Sequence, residues 1–130
     1  MKILLVEDNL LNQKVVLFNL KKYNYDIIAV TNGLDAIKTV KEIQFDVILM
    51  DLMLPEMNGF EITIEIRKHE KITGTERPVS IIALTANTLD NDRDKCYEVG
   101  MNEYLSKPFT ANQLAAKIHS LVEIEKEECQ

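Results

Sequence analysis

The chain has 130 residues, room for one domain, and its 46% apolar and 28% charged content is that of a globular protein able to bury a core without disulfides. Fifteen basic against 21 acidic side chains leave a net charge of −6, which excludes the basic footprint of a dedicated nucleic-acid binder. No apolar run approaches the ~18 residues of a membrane span, Met1-Lys2 and Ile3–Val6 are too short for a secretory signal core, and Cys96 and Cys129 lack metal-ligand spacing, so a reducing, cytoplasmic setting is expected.

Lys2–Val6 is a short apolar run and reads as a strand. Leu10–Tyr23 has helical spacing, with Leu11, Val15 and Phe18 on one expected inward face and Val16 and Leu20 beside it. Tyr23 and Tyr25 are expected to close that helix against the second strand, Asp26–Val30. Gly33–Glu42 reads as a helix carrying Leu34, Ile37 and Val40, and Phe45–Met50 as the third strand. Phe60–Lys68 is helical, with Phe60, Ile64 and Ile66, and His69–Pro78 reads as a polar loop around Gly74. Val79–Leu84 is the fourth strand, Leu89–Val99 a helix with Leu89, Cys96 and Val99, and Glu103–Ser106 the fifth strand. Thr110–Glu125 is the last helix, with Leu114, Ile118, Leu121 and Val122 inward and Thr110 and Gln113 at capping-box spacing. The expected division is a domain over residues 1–122 and an acidic tail over 123–130. His69 and His119 are expected to face solvent, and Met50 and Met57 to pack.

Five strands alternating with five helices predict an α/β fold with a parallel sheet covered on both faces. With right-handed crossovers the common solution is the flavodoxin-like (βα)5 doubly wound sheet of order 2-1-3-4-5.

Ligands of such sheets bind at the carboxyl ends of the strands. Here those ends carry Glu7-Asp8-Asn9, Thr31-Asn32-Gly33, Asp51, Thr85-Ala86-Asn87 and Lys107-Pro108. Strands 1 and 3 would be neighbours ~4.8 Å apart, gathering Glu7, Asp8 and Asp51. Two carboxylates ~5 Å apart repel by about 3 kcal/mol at an effective dielectric of 20, so the cluster needs a compensating charge. Mg2+ suits a site with few carboxylates and a phosphate-bearing partner, and Lys107 adds a compact positive charge. The Thr85 hydroxyl and the Ala86 backbone N–H are donors for an oxyanion. Together they describe a phosphoryl-transfer site, with the central Asp51 as candidate nucleophile. Each residue alone has a plainer reading: Asp8 or Asn9 as a helix cap, Lys107-Pro108 as a turn.

Four motifs, in order and on the right elements, carry a resemblance. They are Leu4-Leu5-Val6-Glu7-Asp8-Asn9, Asp46 through Gly59 (DVILMDLMLPEMNG), Ile82-Ala83-Leu84-Thr85-Ala86 and Gly100 through Pro108 (GMNEYLSKP). From Lys2 to about Val122 the sequence resembles the receiver domain of two-component response regulators. The resemblance implies that Asp51 accepts a phosphoryl group from phosphohistidine. It implies that Glu7, Asp8, Asp51 and the backbone carbonyl of Met53 hold Mg2+, for which Mn2+ substitutes. Thr85, Ala86 and Lys107 would bind phosphoryl oxygens, Thr85 would shift, the Tyr104 ring would turn inward, and the face of helix 4, strand 5 and helix 5 would change. The Lys107-Pro108 peptide would be cis.

The run Asp8 to Gln13, the longer Lys68–Pro78 loop and Leu84-Thr85-Ala86-Asn87 resemble receivers of hybrid sensor histidine kinases. The implied partner is a histidine phosphotransfer domain or a histidine kinase, with no direct nucleic-acid binding. The chain would act as a monomer or a weak phosphorylation-dependent dimer, in the cytoplasm or as the cytoplasmic part of a membrane-bound kinase. It would not be an enzyme by itself, although the parent of an excised domain would be a histidine kinase. Glu7 stands where an Asp is more usual, and Met53 and Asn87 suggest a phosphoryl lifetime of minutes.

Three other readings fit less well. A flavodoxin-like electron carrier wants a Ser/Thr/Gly-rich phosphate loop, where this chain has Glu7-Asp8-Asn9, and it has no Trp to shield a flavin. An aspartate-nucleophile phosphatase wants a second acid two residues on, where this chain has Met53. A degenerate receiver acting only as a protein-binding module would have no need of the full residue set.

Overall fold

A computed structural model describes the chain except for residues 53, 55, 76, 86–89, 108, 129 and 130, and describes only the backbone at 90–92 and 122–128. The elements, in chain order, are β1 (Lys2–Val6), α1 (Leu10–Leu20, continued by a 3-10 turn Lys21–Tyr23), β2 (Asp26–Val30), α2 (Gly33–Glu42) and β3 (Val47–Asp51). They continue with α3 (Gly59–Thr73), β4 (Ser80–Thr85), α4 (Asp90–Val99), β5 (Glu103–Ser106) and α5 (Ala111–Glu128). The sheet is five-stranded and parallel, ordered β2-β1-β3-β4-β5, as the alternation predicts.

The central strands are apolar on both faces because both faces are covered. Leu4, Val6, Ile48, Met50, Ile81 and Ala83 point into a core shared with α2, α3 and α4. Ile3, Leu5, Val47, Leu49, Ile82 and Leu84 point the other way, against α1 and α5. Every residue of β3 and β4 is buried.

Several boundaries differ from the sequence reading. β3 begins at Val47, where pairing with Ile3 and Ser80 starts, and just before it the Asp46 carboxylate accepts the Lys2 backbone N–H through Oδ2 at 2.8 Å. α3 runs five residues past Lys68, so His69–Thr73 is helix rather than loop; its end is Gly74, in the left-handed conformation at φ 70°. Polar residues along that last turn hide its periodicity. α5 runs to Glu128 rather than Glu125, and starts in the expected capping box: Gln113 N–H donates to Thr110 Oγ1 at 3.1 Å, and Thr110 N–H to Gln113 Oε1 at 2.9 Å.

The larger correction concerns α1. Its buried residues are Gln13, Val16 and Leu20, while Leu11, Val15 and Phe18 are 69%, 51% and 78% exposed. The helix is apolar nearly all the way round, so its apolar pattern alone does not fix which stripe turns inward. Polar contacts do: Asn9 caps it by accepting from Leu11 N–H and Asn12 N–H, and Gln13 Nε2 reaches the carbonyls of Glu7 at 2.7 Å and Val30 at 3.0 Å. Smaller departures are Leu34, 70% exposed, and Ile64, 39% exposed, where Ala36 and Ile62 supply the inward contacts. Leu89 and Val122 lie outside the residues whose side chains are described.

Candidate functional site

The carboxyl ends of β1 and β3 lie side by side, because Val6 pairs with Met50. The chain leaves β1 through Glu7, held by its N–H to Val30 O at 3.1 Å. Asn9, rather than Asp8, caps α1, and this frees the Asp8 carboxylate. Glu7, Asp8 and Asp51 each offer a carboxylate oxygen, and these atoms lie within 4.8 Å of one another. Glu7 is 2% and Asp51 5% exposed, whereas Asp8 faces solvent.

Lys107 enters from the far side of the sheet. Its N–H donates to Thr85 O at 2.7 Å, which fixes the chain just past β5. Its Nζ stands 3.4 Å from Asp51 Oδ2 and 3.7 Å from Glu7 Oε2. Thr85 ends β4, one pairing step beyond Leu84, which pairs with Asp51, and is 3% exposed. Tyr104 lies half-buried on β5, opposite Ala83. Met53, Ala86 and Pro108, with the Lys107-Pro108 peptide, lie outside the described residues.

Two residues of the site enter the sequence reading only as members of a motif, with no role attached. Asn12 Nδ2 donates to Glu7 Oε1 at 3.0 Å, and Gln13 holds the Glu7 carbonyl. Only their distance from the Asn9 cap could have placed them on the site side of the helix. Gly59 is a third: a Cβ there would meet Asp51 O at 2.9 Å, so α3 begins where only glycine lets it approach β3.

Electrostatics follow from this packing. Burial, and then a hydrogen bond shared with Asp51, pushes the Glu7 carboxyl up to about 7, with the Asp51 charge adding to the rise and Asn12 and Lys107 opposing it. One lysine balances only part of three acids. Oxygen-only donors at this spacing suit a hard divalent cation. Beside the acids a cleft of about 270 Å3 runs under α1, lined by Glu7, Asn12, Val15, Val16, Lys107 and Phe109. The Leu10, Leu11, Val15 and Phe18 side chains stand exposed along the same helix.

Comparison with known proteins agrees with this picture. The response regulator receiver domain family matches residues 3–119. Hybrid signal transduction histidine kinases B and H of Dictyostelium discoideum are 44% and 43% identical over 120 and 122 residues. Those matches cover 87% and 91% of this chain but 6% and 9% of the relatives' own length. Among solved structures, the receiver domain of a sensor histidine kinase from Pseudomonas aeruginosa, with a magnesium ion in its active site cleft, superimposes with a TM-score of 0.81 at 40% identity, covering 94% of this chain and 97% of that one. A Saccharomyces cerevisiae response regulator receiver domain, crystallised with a histidine phosphotransfer signalling protein, gives a TM-score of 0.86 at 36% identity, covering 91% and 86%. The chain therefore belongs to the response regulator receiver domain family of two-component signalling, and is most like the receivers of hybrid histidine kinases.

Proposed function

We propose that this receiver takes a phosphoryl group from a phosphohistidine onto Asp51, with Mg2+ held by Glu7, Asp8 and Asp51, and relays it as a conformational change. The observation that carries the reading is the convergence of three carboxylates within 4.8 Å, with the Lys107 ammonium 3.4 Å from Asp51. The backbone carbonyl of Met53 is proposed as a further metal ligand, and Mn2+ as a substitute ion.

In the proposed step an Asp51 carboxylate oxygen attacks phosphorus, the P–N bond to the donor imidazole breaks, and the imidazole leaves with the bonding pair. The product is a mixed anhydride on Asp51. Lys107 moves from carboxylate to phosphoryl oxygen, and Thr85 with the Ala86 N–H supplies donors to the others. The divalent ion, when bound, neutralises charge on the transferring oxygens. Asn12 and Gln13 keep Glu7 aimed at the site. The chain turns over once per phosphoryl group received, so by itself it is a signalling domain rather than an enzyme.

The donor is proposed to be a helical histidine phosphotransfer domain or the histidine domain of a kinase. The exposed apolar side chains of α1, beginning beside the acid cluster, support such a partner. The described helices contain none long and apolar enough to cross a membrane. Residues 1–122 are proposed as the receiver unit and 123–130 as an acidic extension, in a cytoplasmic setting.

Intact-mass spectrometry after incubation with acetyl phosphate and Mg2+ tests the reading. The expected gain is one phosphoryl mass, absent with EDTA and in Asp51→Asn. No gain from acetyl phosphate or from a phosphorylated histidine phosphotransfer domain would leave a binding module that has lost the chemistry.

A further inference from the structure

The face built by α4, β5 and α5 carries a connected set of side-chain contacts away from the acids. Arg93 on α4 holds its guanidinium carbon 5.3 Å from the centroid of the Tyr104 ring. One turn along, the Tyr97 hydroxyl donates to Glu103 Oε1 at 3.2 Å. The same oxygen accepts the Tyr104 N–H at 3.0 Å, and Glu103 Oε2 lies 3.3 Å from Lys117 Nζ on α5. The strand that bears Tyr104 is thus tied to α4 on one side and α5 on the other, and the cation over the Tyr104 ring among the described residues is that of Arg93.

Strand register connects this face to the acid site. Tyr104 pairs with Ala83 and Ser106 with Thr85, so Tyr104 and Thr85 share one face of the sheet, two pairing steps apart on neighbouring strands. Ala83, directly opposite Tyr104 and two residues before Thr85 on the same face, is small. A shift of Thr85 changes the room open to the ring, and a shift of the ring changes the room open to Thr85.

The contacts belong to one chemical form of Asp51. Lys107 Nζ touches Asp51 Oδ2 directly at 3.4 Å, and a phosphoryl group bonded to Asp51 has to sit between them. The ring position covered by Arg93 is therefore the one that goes with the free carboxylate.

We infer that Arg93 is a positioning residue: its guanidinium holds the Tyr104 ring in the arrangement of the unmodified receiver and so opposes phosphoryl uptake at Asp51. The inference rests on the phosphoacceptor reading above. A contact made in one of two states biases their equilibrium by its own free energy and no more. For an exposed cation–π contact, removal corresponds to about a two- to fivefold change in the equilibrium. The Tyr97–Glu103–Lys117 chain holds the strand, and its Tyr97 is also hydrogen-bonded to Arg93, so Arg93 is the link between this chain and the ring.

The test is a titration of the full chain with beryllium fluoride, a phosphoryl mimic, at fixed Mg2+, followed by NMR on the Tyr104 ring and backbone. Arg93→Gln is expected to lower the half-saturating concentration about two- to fivefold, and Arg93→Lys, which keeps a cation, to restore most of the wild-type value. The initial rate of labelling by acetyl phosphate is expected to rise in the same order. Tyr104 ring shifts in ligand-free Arg93→Gln report loss of the contact independently of binding. Equal half-saturation in wild type and Arg93→Gln, or Tyr104 ring shifts that do not move, would overturn the role of Arg93 while leaving Asp51 as acceptor. A wild-type chain that never responds to beryllium fluoride would overturn the phosphoacceptor reading, and this inference with it.

Discussion

Glu7 is the residue on which the acid cluster turns. Burial and the hydrogen bond shared with Asp51 raise its carboxyl to about 7, so at and below neutrality a divalent cation competes with a proton for it. Apparent Mg2+ affinity is expected to fall about tenfold for each pH unit below 7 and to level off above it, as one displaced proton requires. Calorimetric Mg2+ titrations between pH 5.5 and 8 read this directly, and a flat profile would remove Glu7 from the binding set. Gln13 has the other decisive side chain: it satisfies the Glu7 and Val30 carbonyls from a buried position. Gln13→Leu leaves both without that donor and is expected to destabilise the fold by about 1–3 kcal/mol in urea unfolding. The carboxylates and the lysine were legible in the sequence because each closes a strand, and strand ends converge. Asn12 and Gln13 stood there within a motif, but their roles were not legible, because a polar pair on an apolar helix reads as its solvent side.

At the scale of elements, α1 shows how far apolar spacing goes. The spacing identifies the helix, and the Asn9 cap with the Gln13 hydrogen bonds sets its rotation. Val16 and Leu20 turn inward, and Val15 and Phe18 turn to solvent. The double change Val15→Ser, Phe18→Ser should therefore leave stability within about 0.5 kcal/mol of wild type by thermal unfolding. The same variant should be labelled by acetyl phosphate at the wild-type rate but lose transfer from a histidine phosphotransfer domain. Equal loss with both donors would mean that the stripe acts on the site and not on docking. α3 taught a related lesson: its last turn, His69–Thr73, has little apolar spacing, and its end is marked by Gly74 alone.

For the molecule as a whole, strand order was readable because alternation, handedness and five strands leave few solutions. What stayed hidden was the partition of helices' apolar residues between core and surface, which depends on neighbours distant in the chain. The raised Glu7 carboxyl also acts on global stability. Its ordinary value is 4.5 and its folded value about 7, so the folded chain binds the proton more tightly than the unfolded one. That contribution is fully present below 4.5 and is lost as pH rises through about 7. In EDTA, the unfolding midpoint is expected to fall between pH 5 and 7.5, and added Mg2+ to restore it most at the upper end. Scanning fluorimetry across that range checks the sign, and a midpoint that rises with pH in EDTA would contradict it.

The order β2-β1-β3-β4-β5 has a consequence for synthesis. Within this domain Glu7 and Asp8 are made before Asp51, yet they meet it only after β3 has docked beside β1, and Lys107 arrives only past β5, the last strand of the sheet in chain order. A nascent chain, or one truncated before residue 107, has Asp51 without the cation that stands beside it in the acid cluster. The acid cluster is thus complete only once the chain has been made through Lys107, and on the phosphoacceptor proposal a copy that stops short of it lacks the ammonium group that faces the acceptor.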